Sequence, residues 1–271
     1  MNSREIQPTL REVVETLAGI HRPPCSPGER AAAQWLLGRL QEIEGVQARL
    51  QPEPSWGSFP PTATGLGVAG VLAALLTLRG ARLAGALLAA ATFAGILDEA
   101  HNGPRVLRRL VRRQRETVNL EAAVGEQHSP LTLVVLAHHD APQTGVLFDQ
   151  TLQRKLYERT PGIIERFKTP LPQWWFGLAG PLATLLGAAR PATNTKRGGL
   201  GARVGLLLGL IGSVLVADIW RSETVQGAND NLSGVACLVA LAELLSKHPI
   251  AGVRVLLISC GAEETLQDGI R

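Results

Sequence analysis

Two histidines and an aspartate, His138, His139 and Asp140, close a run of apolar and β-branched residues, LTLVVLA at 131–137. Such a run reads as a buried strand whose C-terminal end delivers polar, metal-competent side chains. A second run of the same kind, VRVLLIS at 253–259, ends in Cys-Gly-Ala-Glu-Glu and so brings Glu263 and Glu264 to a second strand end. Between the two lies GANDNLSG at 227–234, a glycine-and-Asx turn that carries Asp230 and precedes an apolar helix over Val235–Leu245. In a parallel arrangement both strand ends share one sheet edge, where open α/β sheets bind ligands. Each motif alone has an ordinary reading: a structural histidine pair, a helix cap, a patch of surface charge. Together, each following or preceding an apolar run, they are hard to explain as coincidence and point to one site of metal- or proton-competent residues.

Other chemistries find less support. No G-x-S-x-G elbow surrounds Ser213 or Ser233. Cys260 follows a strand, but Glu263 nearby disfavours a thiolate. No phosphate-cradling GxxxxGK[ST] is present. Asn231-Leu232-Ser233 fits an N-glycosylation pattern but sits in the turn that carries Asp230. The three cysteines, Cys25, Cys237 and Cys260, are odd in number and widely spaced, which excludes a disulfide framework and suits a reducing compartment. A net charge of +4 with only 4% aromatic residues does not make a nucleic-acid platform. That charge is better used at a membrane surface.

The elements that must position these residues alternate between two characters. Leu10, Val13, Val14 and Leu17 stand at helical spacing within 8–20. A proline-dense loop, HRPPCSPGER, follows, and Ser26, Pro27 and Glu29 predict a capped helix start before AAAQWLLGRLQEI. VQARLQ at 46–51 and TVNLEAAV at 117–124 alternate as strands, with a turn over Gly125–Pro130. Thr62–Leu78 and Leu83–Leu97 are instead uncharged, apolar and rich in glycine and alanine, joined by Arg-Gly-Ala-Arg. Each is roughly 24 Å long as a helix, slightly short of a hydrocarbon core of about 30 Å. The pair reads as a membrane hairpin, with a buried helical hairpin of a soluble protein as the alternative; small residues favour close packing in lipid. Trp174–Ala189, interrupted by Pro181, and Val204–Ile219 form a second such pair around a loop with Arg190, Lys196 and Arg197. Trp174, Trp175 and Trp220 are placed as interfacial anchors. The basic run Arg105–Arg115 is either a solvated helix face or a cytoplasmic flank at a membrane exit.

The three motifs, in this order, resemble the co-catalytic di-zinc aminopeptidases, the family of aminopeptidase Y and the secreted bacterial leucine aminopeptidases, to which glutaminyl cyclase and glutamate carboxypeptidase relatives also belong. That family's pattern is His-x-Asp after a strand, an Asp in a G-x-x-D-N-x-S-G turn, then a Glu-Glu pair. HRPPCSPGERAAAQWLLGRL is similar to its opening segment. The resemblance covers roughly 5–56, 116–140 and 224–271. It implies an α/β fold, a three-layer α/β/α zinc-peptidase sheet, incomplete and interrupted by two inserted apolar hairpins. The peptidase domain would be discontinuous, over 1–60, 116–140 and 222–271, with hairpins at 62–97 and 174–220.

The resemblance also implies a pair of zinc ions. His138 and Glu264 would each bind a zinc, Asp230 would bridge both, Asp140 would orient His138, and Glu263 would be the general base. His139 would be a bystander or pocket residue. The family's two remaining ligands, an acidic residue and a histidine, fall downstream of the Glu-Glu pair, so a truncated chain is expected. The implied activity is aminopeptidase-type hydrolysis of a peptide or small amide. The alternatives are another amidohydrolase or cyclase of the family, and a non-catalytic membrane protein that keeps the fold. Arginine and lysine at 105–115 and 154–168 place the catalytic side in the cytosol by the positive-inside rule, with lipid as the second partner.

Overall fold

The structure is a computed structural model that describes residues 3–100, 103–126, 128–164, 174–189 and 195–270. In chain order its elements are α1 (Ser3–Ala18), α2 (Pro27–Gln41), β1 (Gln47–Ser55), α3 (Pro60–Leu78), α4 (Arg82–Ala100), α5 (Val106–Val111), β2 (Arg115–Gly125), β3 (Leu131–His138), α6 (Gln150–Arg159), α7 (Pro161–Ile164), α8 (Trp174–Ala188), α9 (Thr195–Arg221), α10 (Ser233–Lys247) and β4 (Val253–Cys260). They fall into two compact units. One comprises 1–58, 113–143 and 223–271; the other comprises 59–112 and 144–222.

The first unit is a four-stranded sheet of order β1-β2-β4-β3 with helices packed on it. β1 and β4 run antiparallel to β2, and β3 runs parallel to β4. β2 alternates as its sequence dictates: Val118, Leu120, Ala122 and Val124 are buried. The core forms where Leu120, Ala122, Val124, Val255 and Leu257 meet Val13 and Leu17 of α1, Leu36 and Leu40 of α2, and Val235 and Val239 of α10. β1 runs on through Pro52 and Pro54 to Ser55, past the alternating stretch that the sequence marks. It is an edge strand, and an edge tolerates residues that cannot donate to a ladder.

The expected three layers are two in this unit. Among the described residues, α1, α2 and α10 all share the core on one sheet face. On the other face Val134 and Leu136 of β3 are about half exposed, at 47% and 53%. The strand is apolar on both faces, the pattern of a strand covered on both sides, while the third layer itself is what the family resemblance implies.

The second unit is built from the apolar helices α3, α4, α8 and α9. Its contacts run α3 with α4 and α9, and α8 with α4 and α9. Gly205 of α9 shows why small residues line these seams: a Cβ there would lie 2.8 Å from the Gly180 carbonyl oxygen of α8. Three hydroxyls buried in the bundle donate within their own helices, Thr77 to the Ala73 carbonyl, Thr92 to Leu88 and Thr184 to Gly180. That is how a polar group is satisfied where no water is at hand.

Among the described residues four helices are long and apolar enough, by length and composition, to cross a membrane: Pro60–Leu78, Arg82–Ala100, Gly199–Arg221 and Ala228–Lys247. α8 contributes only the shorter apolar stretch Gly177–Ala188. Trp220 is half exposed. The side chains of Trp174, Trp175, Lys168, Arg190, Lys196 and Arg197 lie outside the described residues. The basic run at 105–115 is neither wholly solvated nor all helix. α5 occupies six residues of it, and Arg108 is buried in an ion pair with Glu99, its Nε 2.7 Å from Oε1.

Candidate metal centre

Parallel pairing places His138 opposite Cys260, so β3 and β4 end side by side. From these ends the chain turns into Asp140 on one side and into Glu263 and Glu264 on the other. The third contributor, Asp230, sits in the turn 228–232 that leads into α10. Gly227 opens that turn at φ +58°, in the left-handed region that favours glycine. Asn231 Oδ1 accepts the Gly234 N–H at 3.2 Å and so covers an open donor of the first turn of α10. Asp230 is thereby left with its side chain 73% exposed.

Ligand atoms of His138, Asp230 and Glu264 all lie within 4.8 Å of one another. His138 Nε2 stands 3.2 Å from Asp230 Oδ1, 3.8 Å from Glu263 Oε2 and 4.0 Å from Glu264 Oε1. Its other nitrogen, Nδ1, is 3.3 Å from the Asp140 carbonyl oxygen and 3.4 Å from Asp140 Oδ1. Nδ1 thus faces the Asp140 acceptors and Nε2 faces the carboxylates, the orientation that a metal-binding imidazole with its proton on Nδ1 requires. Asp140 is wholly buried and does more than meet His138. Its Oδ1 accepts the Glu263 N–H at 3.2 Å and its Oδ2 the Glu264 N–H at 3.0 Å. One carboxylate therefore fixes both the imidazole and the Glu-Glu turn.

The electrostatics show what the cluster needs. Burial pulls the His138 pKa down, but the hydrogen bond and charge of Asp140, with Glu263 and Glu264, outweigh it and lift it to about 9. Burial, then the charge of Asp140, pushes the Glu264 carboxyl up to about 8. Burial likewise raises Glu263, with His138 opposing and Asp140 and Asp230 adding to the rise. Burial and neighbouring negative charge both raise these carboxyls, so positive charge placed beside them is favoured. A divalent ion meets the same need, and one imidazole nitrogen with two carboxylate oxygens is a donor set that suits zinc. Among the described residues no other three His, Cys, Asp or Glu converge in this way.

His139 is not part of the cluster. It is fully buried, its Nδ1 lies 2.9 Å from Ser259 Oγ, and burial pushes its pKa down to about 4, so it stays neutral. Two further charged residues support the site, and sequence reasoning did not assign them. Arg22 is fully buried and reaches the backbone on either side of the cluster. Glu29, expected as half of a capping box, forms only part of one. Its N–H donates to Ser26 Oγ at 3.1 Å, but its carboxylate turns inward to Thr117 Oγ1 and to the Ala262 N–H, the latter at 2.7 Å. The one signal for both residues is that they lie in the proline-dense loop segment. The last turn is tied down as well: Asp268 is buried and accepts from Ser55 Oγ and the Trp56 N–H, at 3.0 and 3.1 Å.

No family model and no curated sequence matches this chain. Among solved structures it is similar to the glutaminyl cyclase of Porphyromonas gingivalis, with 14% identity and a TM-score of 0.41 over 97% of this chain and 48% of that one. It is also similar to an aminopeptidase from Aneurinibacillus sp. strain AM-1, with 11% identity and a TM-score of 0.40 over 95% of this chain and 63% of that one. The chain thus spans under half the length of the first and under two thirds of the second. At these TM-scores the likeness carries no argument about function, which rests on the cluster itself.

Proposed function

We propose that this protein is a zinc-dependent hydrolase of the aminopeptidase type, acting on a peptide or small amide and held at a membrane by its apolar helices. One observation carries the reading: His138, Asp230 and Glu264 converge within 4.8 Å at the ends of two parallel strands, with Glu263 alongside. In this reading His138, Asp230 and Glu264 would hold zinc, and a second ion would share the exposed Asp230. That ion would need donors beyond these three. When bound, zinc polarises a substrate carbonyl and acidifies a water. Glu263 is the general base. Its carboxylate lies 3.8 Å from His138 Nε2, beside the three ligands, where it can take and return a proton. The proton leaves the attacking water for the Glu263 carboxylate and passes from there to the leaving amine nitrogen. Asp140 keeps Glu263 and Glu264 in place through their backbone N–H groups while it orients His138.

The test uses the full chain purified in detergent and dialysed against metal-free buffer. Bound metal is measured by mass spectrometry, and hydrolysis is measured on a panel of aminoacyl 4-nitroanilides. The wild type should retain zinc and cleave at least one member of the panel. Glu263→Gln should retain the zinc and lose hydrolysis by roughly a hundredfold or more. A folded, metal-free wild type would refute the site. Zinc retention without cleavage would make the protein the non-catalytic alternative.

A further inference from the structure

Arg22 lies in the loop between α1 and α2 and is fully buried. Among the described residues its guanidinium meets no carboxylate at hydrogen-bond distance; it is spent on backbone carbonyls. Nε donates to His139 at 2.7 Å. Nη1 donates to Leu17 at 3.0 Å, in the last turn of α1, and to Ile20 at 3.4 Å in the loop. Nη2 donates to Gln226 at 2.6 Å and Gly227 at 3.3 Å. In return the Arg22 carbonyl accepts the Ala141 N–H at 3.0 Å. The residue therefore brackets Asp140, bonded to the residue before it and the residue after it. With its other arm it holds the turn that leads to Asp230. Gly227 makes room for that arm, because a Cβ there would lie 2.8 Å from Nη2.

Burying a guanidinium is expensive unless its donors are satisfied. A lysine supplies three donors at one point and cannot span these acceptors, whereas the planar fork of arginine carries five. The carbonyls it joins belong to two segments more than eighty positions apart, one following His138 and one preceding Asp230. We propose that Arg22 is a positioning residue that sets the separation between His138 and Asp230, 3.2 Å between Nε2 and Oδ1, through the backbone of 139–141 and 226–227. The inference rests on the metal reading above. It adds a residue that touches neither metal nor substrate yet governs how well the metal is held.

The test measures zinc affinity of the full chain in detergent by competition with a chromophoric chelator, alongside thermal unfolding. Arg22→Lys should weaken zinc binding roughly 10- to 100-fold, the usual effect of losing a residue that orients ligands. Arg22→Ala should weaken it further, and millimolar guanidinium should restore part of the loss. Leu36→Ala, in the core away from the site, controls for stability alone: it should lower the melting temperature and leave zinc affinity unchanged. If Arg22→Ala does not accumulate in folded form, Arg22→Lys against Leu36→Ala decides. Unchanged affinity in Arg22→Lys, or an equal loss in Leu36→Ala, overturns the inference while the metal site stands. A wild type that takes up no zinc refutes the metal site itself, and the inference falls with it.

Discussion

Glu29→Gln should make the protein more stable at neutral and mildly alkaline pH and have little effect in acid. Glu29 is almost wholly buried, at 1% exposure, and its Oε1 accepts from both Thr117 Oγ1 and the Ala262 N–H. Burial, reinforced by the charge of Asp140, raises its pKa from 4.5 to about 7, although the bonds from Thr117 and Ala262 favour the ionised form. A carboxyl raised on folding contributes stability that is fully present below 4.5 and is lost as the pH climbs through the folded value. Once ionised, Glu29 therefore costs about 3 kcal/mol, at roughly 1.4 kcal/mol for each tenfold change in proton affinity. Glutamine keeps the Oε1 acceptor and the side-chain shape but cannot ionise. The stability of Glu29→Gln relative to wild type should thus rise by about 2 to 3 kcal/mol between about pH 5 and about pH 8.

Urea unfolding of the detergent-solubilised full chain, read by pulse proteolysis at each pH, measures that difference. Taking the difference removes the other titrating groups, His138 and Glu264 among them, because both proteins share them. A relative stability that stays flat across the range would refute the reasoning, since it would mean Glu29 ionises without penalty. So would a glutamine variant that is less stable at the alkaline end. Either result would show that the Thr117 and Ala262 bonds, and not burial, set the proton affinity.

Three other outcomes follow from the same geometry. Asp140→Asn turns an amide NH2 toward one of two backbone donors, so it should destabilise the protein by about 1 to 3 kcal/mol, the cost of an unsatisfied buried group; an unchanged melting temperature would contradict the bonding described. Gly205→Val places a side chain against Gly180 and Thr184 across the α8–α9 seam and should cost about 1 to 3 kcal/mol, visible as an earlier thermal transition in detergent. N-ethylmaleimide should label exposed Cys237 in the folded protein and spare Cys25 and Cys260, whose thiols burial pushes up to about 11 and about 12. Peptide mass spectrometry that finds Cys260 modified as fast as Cys237 would count against that.

How much of this was legible in the sequence differs by residue, for identifiable reasons. His138, Asp140, Glu263 and Glu264 could be found because each follows an apolar strand, and the position at a strand end is a local signal. Asp230 could be found because its glycine-and-Asx turn precedes an apolar helix. Arg22 and Glu29 could not be assigned, because what buries them lies far along the chain. Arg22 bonds residues 117 and more positions away, and Glu29 bonds Ala262, 233 positions on. The local pattern at Glu29 pointed to a capping box, and only its Ser26 half formed. The start of α9 was not legible for a different reason. The helix begins at Thr195, well before the apolar run at Val204, because glycines and arginines at its start lower hydrophobicity without ending the helix. The third layer was implied only by the family resemblance, and no local feature says what lies over either face of the sheet.

Apolar length alone does not tell a membrane helix from a core helix, and α10 shows why. The stretch Ala228–Lys247 is as eligible by composition as Gly199–Arg221, yet 44% of it is buried against 17% of the other. The difference lies in partners. Val235, Ala236, Val239 and Ala242 of α10 pack on the sheet, and its Glu243 accepts from Thr9 Oγ1 and pairs with Arg39. α9 offers instead a row of exposed apolar side chains, Leu207 at 59% and Val214 at 66% among them. Leu207 stands near the middle of that helix, so Leu207→Lys separates the two environments sharply. On the surface of a water-soluble unit the exchange should change stability by no more than about 0.5 kcal/mol. At the centre of a bilayer the lysine should cost roughly 2.5 to 3.5 kcal/mol. The wild type should therefore stay with membranes through alkaline carbonate extraction, and Leu207→Lys should accumulate there at a clearly lower level. Release of the wild type into the supernatant, or equal accumulation of the two proteins, would assign α9 and its neighbours to a soluble bundle and remove the membrane from the proposed function.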